Sequence, residues 1–392
     1  MTNVFHELVC QRFCSRPTSF FVIFGHKPPL MSKKTKVTIT DVAKSAGVAV
    51  GTVSRVFNNH SDVNPDIASK VRDTAHQLGY RRIRQRRGTR EVPVRRNGAA
   101  GDIGIVFFGM QDTLVQLPVV STSLQGIESA LSTHGRSLLI ANIPNGDRTP
   151  PFISEGRVEG LILKGPNQGE LPSQAASELL RHIYRIPHVW VMGRLPNALG
   201  DHCNFDTDSA GRLVAEHFLA KGHKHVAFMN PKPGQVQFEK VKSSFLNHSA
   251  RLGLEGTLLE VAPPGKLTWP LPATTLQDNV DLLTQRWAQL PAKSRPTAIF
   301  IPSDRTALQL YASLERLRMR VGTDVSVVSC NNEKSLVMNL SPMLTTIDIH
   351  ADFIGRRAVD QLLWRIQNPG EDFSMQILIE PTLVERGSVA QL

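Results

Sequence analysis

The sequence predicts a small all-α head followed by a larger α/β core with two lobes. Two short helical patterns joined by a tight turn occupy residues 38–58, inside the most basic stretch of the chain. From Gly101 onward, apolar runs alternate with amphipathic stretches. A chain of 392 residues has room for such a head and for a core of two lobes.

The positive charge is confined to one part of the chain. Residues 33–97 hold 15 Lys and Arg against 5 Asp and Glu, which gives +10 of the formal net charge of +11. A solvated, disordered basic linker is one interpretation of this segment. The apolar periodicity inside it favours the other, a folded head that binds DNA.

The N-terminal segment shows no comparable pattern. Its apolar run at residues 20–24 is far too short to span a bilayer, and Met31 begins a Met-Ser-Lys-Lys sequence just before the head. We expect residues 1–36 to be a disordered or mis-annotated extension, with Met31 as the natural start. Since no apolar window of about 18 residues occurs in the chain, we expect no membrane span.

The four cysteines are widely scattered, at positions 10, 14, 203 and 330. Cys10 and Cys14 have no second Cys or His pair nearby, so their spacing does not favour a metal site. The pattern is typical of a reduced cytoplasmic protein, and we expect neither a metal nor a cofactor.

The first two helices of the head carry clear start and stop signals. Thr38 and Asp41 form a T-x-x-D pattern at a helix start, and Gly47 is suited to the left-handed conformation that ends a helix. Ala43 is small enough to let a second helix cross closely. Val53 and Val56 then face the core, which leaves the other side of the second helix exposed.

A third helix is predicted from Asn64, a good N-cap residue, with Pro65 at its first position. Gly79 is predicted to end it. Its buried stripe is expected to comprise Ile67, Val71, Ala75 and Leu78.

The core pattern predicts parallel sheets covered by helices on both faces. The strand-like runs are residues 103–108, 137–141, 160–163, 189–192, 225–229, 298–301 and 325–329. The helical stretches are residues 122–133, 208–221, 236–251, 278–290 and 307–318. Ligands of such sheets bind beyond the carboxyl ends of the strands, so two facing lobes are expected to enclose a cleft.

The run from Thr38 to Asn58 resembles the head of the LacI/GalR family of bacterial transcription regulators, and Val71 to Tyr80 resembles its third helix. The core resembles the family's periplasmic-binding-protein-like core in Val158-Glu-Gly-Leu-Ile, Lys221-Gly-His-Lys-His-Val-Ala-Phe and Asp304-Arg-Thr-Ala-Leu. The resemblance implies a homodimeric repressor that is not an enzyme. It also implies that double-stranded operator DNA is bound with an affinity altered by a small effector, a sugar or related metabolite, held between the lobes.

Carried onto this chain, the resemblance assigns DNA contacts to the second helix and its flanks. The base contacts fall on Val50, Gly51 and Arg55, and the phosphate contacts on Thr38, Thr52, Ser54 and Asn58. Arg55 is the best specificity residue, because its guanidinium group can bond guanine O6 and N7 together. Ala49 stands where the family carries Ser, and loss of that cap would cost about 1 kcal/mol.

The hinge departs from the family, which inserts a leucine into the minor groove. Thr89 takes the leucine position here and Gly88 weakens a helix. A run of arginines remains to hold phosphates or a narrow minor groove: Arg81, Arg82, Arg84, Arg86 and Arg87. A solvated linker is the alternative interpretation.

These patterns divide the chain into a head at residues 37–82, a basic hinge at 83–100 and a core at 101–392. Lobe one is expected at about 101–222 and 345–372, and lobe two at about 223–344 and 373–392. The three crossings between the lobes would then lie near Gly222, Thr345 and Phe373.

Effector contacts are expected from Ser303, Asp304, Asn331 and Lys240. Val241 and Asn331 replace an Arg and an Asp that sugar- and purine-binding members of the family use. Asp304 either caps the helix that follows it or contacts the ligand. Lys240 or Lys242 could supply a cation, and a surface lysine is the alternative for either.

Two other classes of protein fit less well. A sugar-binding transport protein would carry an export signal and no basic head. A nucleotide-dependent enzyme would carry a glycine-rich phosphate loop, and neither G-x-G-x-x-G nor G-x-x-x-x-G-K-[ST] occurs.

Overall fold

The computed structural model describes residues 37–57, 63–78, 80, 101–109, 118–145, 147–167, 169–193, 195–263, 265, 268–269 and 279–392. The chain divides into two units, Met1–Thr89 and Arg90–Leu392. The described part of the first unit is the all-α head, and that of the second is the α/β core.

The head consists of α1 (Ile39–Ala46), α2 (Val50–Phe57) and α3 (Pro65–Gln77). Thr38 and Asp41 form the capping box of α1, and Gly47 ends that helix with a φ of 70°. Asn64 caps α3 by accepting the Asp66 N–H at 2.8 Å. These signals confirm the predicted start and end of α1 and the predicted start of α3.

Seven small apolar side chains form the core of the head: Val42, Ala43, Ala46, Val53, Val56, Val71 and Ala75. The Tyr80 ring stacks on Phe57 at 5.6 Å between centroids. Of the predicted buried stripe of α3, Val71 and Ala75 are buried, but Ile67 and Leu78 are 38% and 37% exposed. The core of the head is short, so only the middle of α3 packs against α1 and α2.

The core contains two six-stranded sheets. The strands are β1 (Asp102–Phe108), β2 (Leu138–Ile143), β3 (Val158–Lys164), β4 (His188–Val191), β5 (Asp201–Phe205), β6 (His225–Asn230), β7 (Glu255–Glu260), β8 (Ala298–Phe300), β9 (Ser326–Cys330), β10 (Thr345–Asp348), β11 (Gln376–Ile379) and β12 (Thr382–Val384). Sheet one has the order β11-β5-β4-β3-β1-β2 and is parallel throughout. Sheet two has the order β12-β10-β9-β8-β6-β7, in which only β12 is antiparallel to its neighbour.

All seven predicted strand-like runs are strands. The pattern did not predict β5, β7, β10, β11 and β12, which are short or half-polar. The helices of the core are α4 (Pro118–Thr133), α5 (Pro151–Ser154), α6 (Glu178–Ile183), α7 (Thr207–Ala220), α8 (Val236–Arg251), α9 (Val280–Ala288), α10 (Asp304–Arg316), α11 (Lys334–Val337) and α12 (Ala351–Gln367).

The missed strands move the three predicted crossings between the lobes. Helix α7 packs on α8 of lobe two, so the first crossing lies at Asp206 instead of Gly222. Strand β10 belongs to sheet two while α12 packs on α4 of lobe one, which places the second crossing near Ile349 instead of Thr345. Strand β11 belongs to sheet one and β12 to sheet two, so the third crossing follows Ile379 instead of lying near Phe373.

Among the residues that the structure describes, no helix is long and apolar enough to cross a membrane.

Candidate DNA-binding head and effector cleft

Helix α2 turns one side to the core of the head and the other to solvent. Val53 and Val56 are buried, and the helical period leaves Val50, Gly51 and Arg55 exposed. Val50 is 42% exposed, and a Cβ atom added to Gly51 would meet no other atom within 4 Å. The structure therefore brings the three predicted base-contacting residues together on one open surface of the helix.

The predicted phosphate contacts differ in what they already bind. Thr38 donates its hydroxyl to Asp41 Oδ2 at 2.7 Å, and its N–H donates to the same oxygen at 2.8 Å. These hydrogen bonds hold the pKa of the Asp41 carboxyl below its usual value. A phosphate would have to compete with Asp41 for the Thr38 hydroxyl. The other two described residues of this set, Thr52 and Ser54, lie half-buried on α2.

The first turn of α2 reflects the Ser-to-Ala departure at position 49. The Ala49 carbonyl accepts the N–H groups of Thr52 and Val53 at 2.9 and 3.2 Å. Its methyl side chain offers no oxygen to the amides of the first turn, so the side-chain cap is missing as predicted.

Asn58, Gly79 and the hinge arginines Arg81, Arg82, Arg84, Arg86 and Arg87 lie outside the described residues.

In the core, loops at the carboxyl ends of the two sheets meet. The backbone carbonyl of Asn167 in lobe one accepts the backbone N–H of Val236 in lobe two at 3.4 Å. The Glu170 carbonyl accepts the backbone N–H of Trp269 at 2.8 Å. A side-chain hydrogen bond of 2.9 Å joins Gln237 Nε2 of α8 to Asn204 Oδ1 of β5. These contacts join the two lobes where both sheets end, which is the candidate effector cleft.

Three aromatic rings pack together in the hydrophobic core of lobe one near this region. Phe108, the last residue of β1, lies edge-to-face against Trp269 at 6.0 Å and stacks against Trp190 at 6.1 Å. Trp269 itself is buried. Trp190 lies within the predicted strand-like run 189–192, whereas no predicted strand or helix contains Trp269.

Ser303 and Asp304 have structural roles. The Ser303 hydroxyl caps α10 by accepting the Thr306 N–H at 3.3 Å. Asp304 is fully buried: its carboxylate accepts the hydroxyls of Ser329 and Thr346 (2.7 Å) and the Glu333 N–H at 2.6 Å. The expected ligand contact of Asp304 is therefore wrong, because protein donors surround the carboxylate.

Glu333 is a buried carboxyl of lobe two that lies near the backbone of Val119 in α4 of lobe one. Its Oε1 atom accepts the Asn331 side-chain amide at 3.4 Å, and its Oε2 atom is buried without a described hydrogen-bond partner. Burial, together with the nearby Asp304 charge, raises the pKa of Glu333 to about 7. Burial likewise raises the pKa of Asp304 to about 6.

The structure places Asn331 and Lys240 in different surroundings. Asn331 directly follows β9, has a φ of 119° and lies half-buried at the carboxyl end of sheet two, where cleft residues were expected. Lys240 is exposed on α8. Its neighbour Lys242 pairs with Glu239 at 2.5 Å and with Glu260 at 3.1 Å, so two carboxylates already neutralise that cation.

The cation that sequence reasoning missed is Lys164, the last residue of β3. Its side chain is buried, and its Nζ donates to the Gly165 carbonyl at 2.8 Å and to Asn167 Oδ1. Burial lowers the pKa of Lys164 to about 8. A lysine that ends the apolar run Gly160-Leu-Ile-Leu-Lys164 was the available signal, since strand ends line such clefts.

Known families match both units of the chain. Residues 38–82 match the model of bacterial regulatory proteins of the lacI family, and residues 215–389 match that of a periplasmic binding protein-like domain. The HTH-type transcriptional repressor PurR of Edwardsiella ictaluri is 26% identical over 362 residues, which cover 90% of this chain and 97% of the repressor. The PurR repressor of Yersinia pestis is 27% identical over 367 residues, with the same coverage.

Solved structures have the same fold. The lac repressor dimer bound to operator and the anti-inducer ONPF aligns with a TM-score of 0.56 at 22% identity, covering 91% of this chain and all of that one. A LacI family regulator from Enterococcus faecium with bound ribose aligns with a TM-score of 0.58 at 22% identity, covering 74% and 99%. The helix-turn-helix head, the two α/β sheets and these matches together identify the chain as a DNA-binding transcriptional regulator of the LacI/GalR family.

Proposed function

We propose that the protein is a homodimeric repressor whose α2 helices bind the two halves of a palindromic operator. The observation that carries this proposal is the solvent-facing side of α2, where Val50, Gly51 and Arg55 are exposed together. A single short helix reads few base pairs, and a dimer doubles the site. The place of action is then the nucleoid, in the bacterial cytoplasm.

Within each half-site, Arg55 bonds the major-groove edge of a guanine through its two terminal nitrogens. Val50 offers an apolar contact to a thymine methyl, and Gly51 lets the helix approach the bases closely. Thr52, Ser54, Asn58 and Thr38 hold phosphates and set the register of the helix. The Thr38 contact requires its hydroxyl to leave Asp41 Oδ2, which now accepts it.

The hinge arginines hold further phosphates. Five neutralised phosphates per protomer, hence ten per dimer, would contribute roughly −9 to the slope of log affinity against log salt concentration. We expect binding by the full-length protein to be unusually salt-sensitive. A slope equivalent to only two or three phosphates, measured between about 50 and 200 mM salt, would contradict this role.

A small polar metabolite such as a sugar binds between the lobes and changes operator affinity without chemical turnover. Such coupling requires the ligand to bind two lobe arrangements unequally. The contacts Asn167–Val236 and Asn204–Gln237 belong to one of these arrangements, since they join the lobes directly. Asn331 offers its side-chain amide to the ligand from sheet two. Ser303 and Lys240 make weaker ligand contacts, because the Ser303 hydroxyl already caps α10 and Lys240 is exposed on α8.

The test is selection of bound duplexes from random DNA with the full-length protein, followed by electrophoretic retardation of the recovered sequence. We expect a two-fold symmetric sequence and a complex of two chains per duplex. The variants Arg55→Ala and Arg320→Ala each remove one positive charge. Arg320 is exposed on the surface of the α/β core, so the pair separates base recognition from a general loss of positive charge. Retention of asymmetric or random sequences alone would overturn the proposal.

A further inference from the structure

We infer that the effector carries an oxyanion group, a carboxylate or a phosphate, which Lys164 binds at the end of β3. This inference rests on the proposed function, in which a small molecule binds between the lobes. It narrows the ligand from a neutral sugar to a hydroxylated acid or a phosphate ester.

Lys164 has unusual surroundings for a buried cation. It lies beside Phe107 of the central strand β1, and the residue is only 6% exposed. The described partners of its Nζ are two neutral oxygens, the Gly165 carbonyl and Asn167 Oδ1. Since an ammonium group has three N–H bonds, these partners leave one N–H for a ligand.

A second buried charge in lobe one shows what a structural ion pair looks like in this protein. Asp201 is buried, and Arg365 donates to both of its carboxylate oxygens at 2.7 and 2.9 Å. Lys164 has no such carboxylate among the residues that the structure describes. A buried cation without a counter-charge destabilises the fold, and an anionic ligand would supply the missing charge.

The neighbouring polar groups extend the site beyond the charge. Ser123 of α4 and Lys164 line the same small cavity, which is closed in this structure with about 0 Å³ open to a water molecule, so an oxyanion requires it to widen. The Ser123 hydroxyl is buried with no described hydrogen-bond partner. The walls of this cavity are apolar and include Phe107, Val120 and Met192. An ammonium and a hydroxyl at one apolar cavity are two donors suited to one oxyanion.

The opposite lobe contributes an acceptor. Gln237 donates its amide N–H to Asn204, but its Oε1 atom is buried without a described partner. Gln237 also lies 3.3 Å from the position that a Cβ atom on Gly193 of lobe one would take. A ligand hydroxyl donating to Gln237 Oε1 while its acid group meets Lys164 would contact both lobes.

The test uses the full-length protein and pairs of compounds that share a carbon skeleton: glucose, gluconate and glucose 6-phosphate, and the same set for galactose and ribose. Titration calorimetry and thermal shift measure binding, and inorganic phosphate alone tests the anion without the sugar. We expect at least one acid or phosphate ester to bind about tenfold or more tightly than its neutral partner. Which of the two binds identifies the source of the oxyanion.

The variant Lys164→Gln should remove that preference, so that the acid and the neutral sugar bind alike. Lys164→Arg should retain part of it, and Lys293→Gln, which removes an exposed lysine outside the proposed effector contacts, should leave it unchanged. Circular dichroism of each variant checks that it folds.

Preferential binding of neutral sugars, with affinity unchanged in Lys164→Gln, would overturn the inference while leaving an effector cleft in place. Failure of every compound to bind would count against the cleft as an effector site, and the inference would fall with it. Unchanged DNA binding in that last case would leave the proposed operator recognition standing.

Discussion

The head and the cleft encode their functions in different ways. The residues proposed to read DNA lie within Thr38–Asn58, a continuous segment whose caps, turn and apolar spacing all act over a few residues. The proposed cleft instead combines Lys164, Asn204, Gln237 and Asn331, which are far apart in the chain. A local site can be predicted from spacing alone, while a dispersed site depends on which strand ends the fold brings together.

Among the variants that test this contrast, Asp304→Ala is expected to change a measured free energy the most. Asp304→Ala removes the acceptor of two hydroxyls and one amide in a buried site, so we expect a loss of about 4 kcal/mol in the unfolding free energy of the core. Denaturant unfolding measures this loss, with the exposed Asp372→Ala as the matched control. A stable Asp304→Ala protein with altered ligand affinity would return Asp304 to the effector site.

A proton-linked effect of nearly that size is expected at Glu333. Its pKa of about 7 in the folded state lies above the usual 4.5, so the folded protein binds the proton more tightly than the unfolded chain does. The stability from this group is complete below about pH 4.5 and is lost as pH rises through 7, on the order of 3 kcal/mol in total.

Glu333→Gln should flatten this part of the stability profile, because an amide does not titrate. Unfolding free energies measured between pH 4.5 and 7.5 give the slope for both proteins. Parallel profiles would mean that the Glu333 carboxyl is not buried beside Asp304 as described.

A smaller effect is expected at the start of α2. Ala49→Ser restores an oxygen that can accept an amide of the first turn, so we expect the head to gain about 1 kcal/mol in stability. Thermal unfolding followed by helical circular dichroism measures the gain. No change would show that another group already satisfies those amides.

Much of the fold could be predicted because its signals are local. Gly47 ends α1, Asn64 starts α3, and all seven strand-like apolar runs form strands. The crossings were misplaced because β10 and β11 are only four residues long, and sheet membership depends on pairing partners distant in sequence. Polar β5 gave no apolar run, although all five of its residues are buried.

The candidate site residues also differ in whether local sequence or distant strands determine their surroundings. The exposure of Val50, Gly51 and Arg55 follows from the burial of Val53 and Val56 one turn away. Whether Asp304 faces a ligand or the core depends on Ser329 and Thr346, which lie on two other strands. Lys164 was missed for a related reason: its burial depends on α4 and β4, which pack around the end of β3.

The most direct test of the account is a map of base-pair preference for the full-length protein and its Arg55→Ala variant on the selected operator. If α2 reads DNA, the variant loses about 1–3 kcal/mol of binding free energy and its preference relaxes at one base pair in each half-site. The remaining positions of the operator should keep their preferences, and Arg320→Ala should match the unmodified protein. Unchanged affinity and an unchanged preference map in Arg55→Ala would contradict the assignment of α2 as the reading helix.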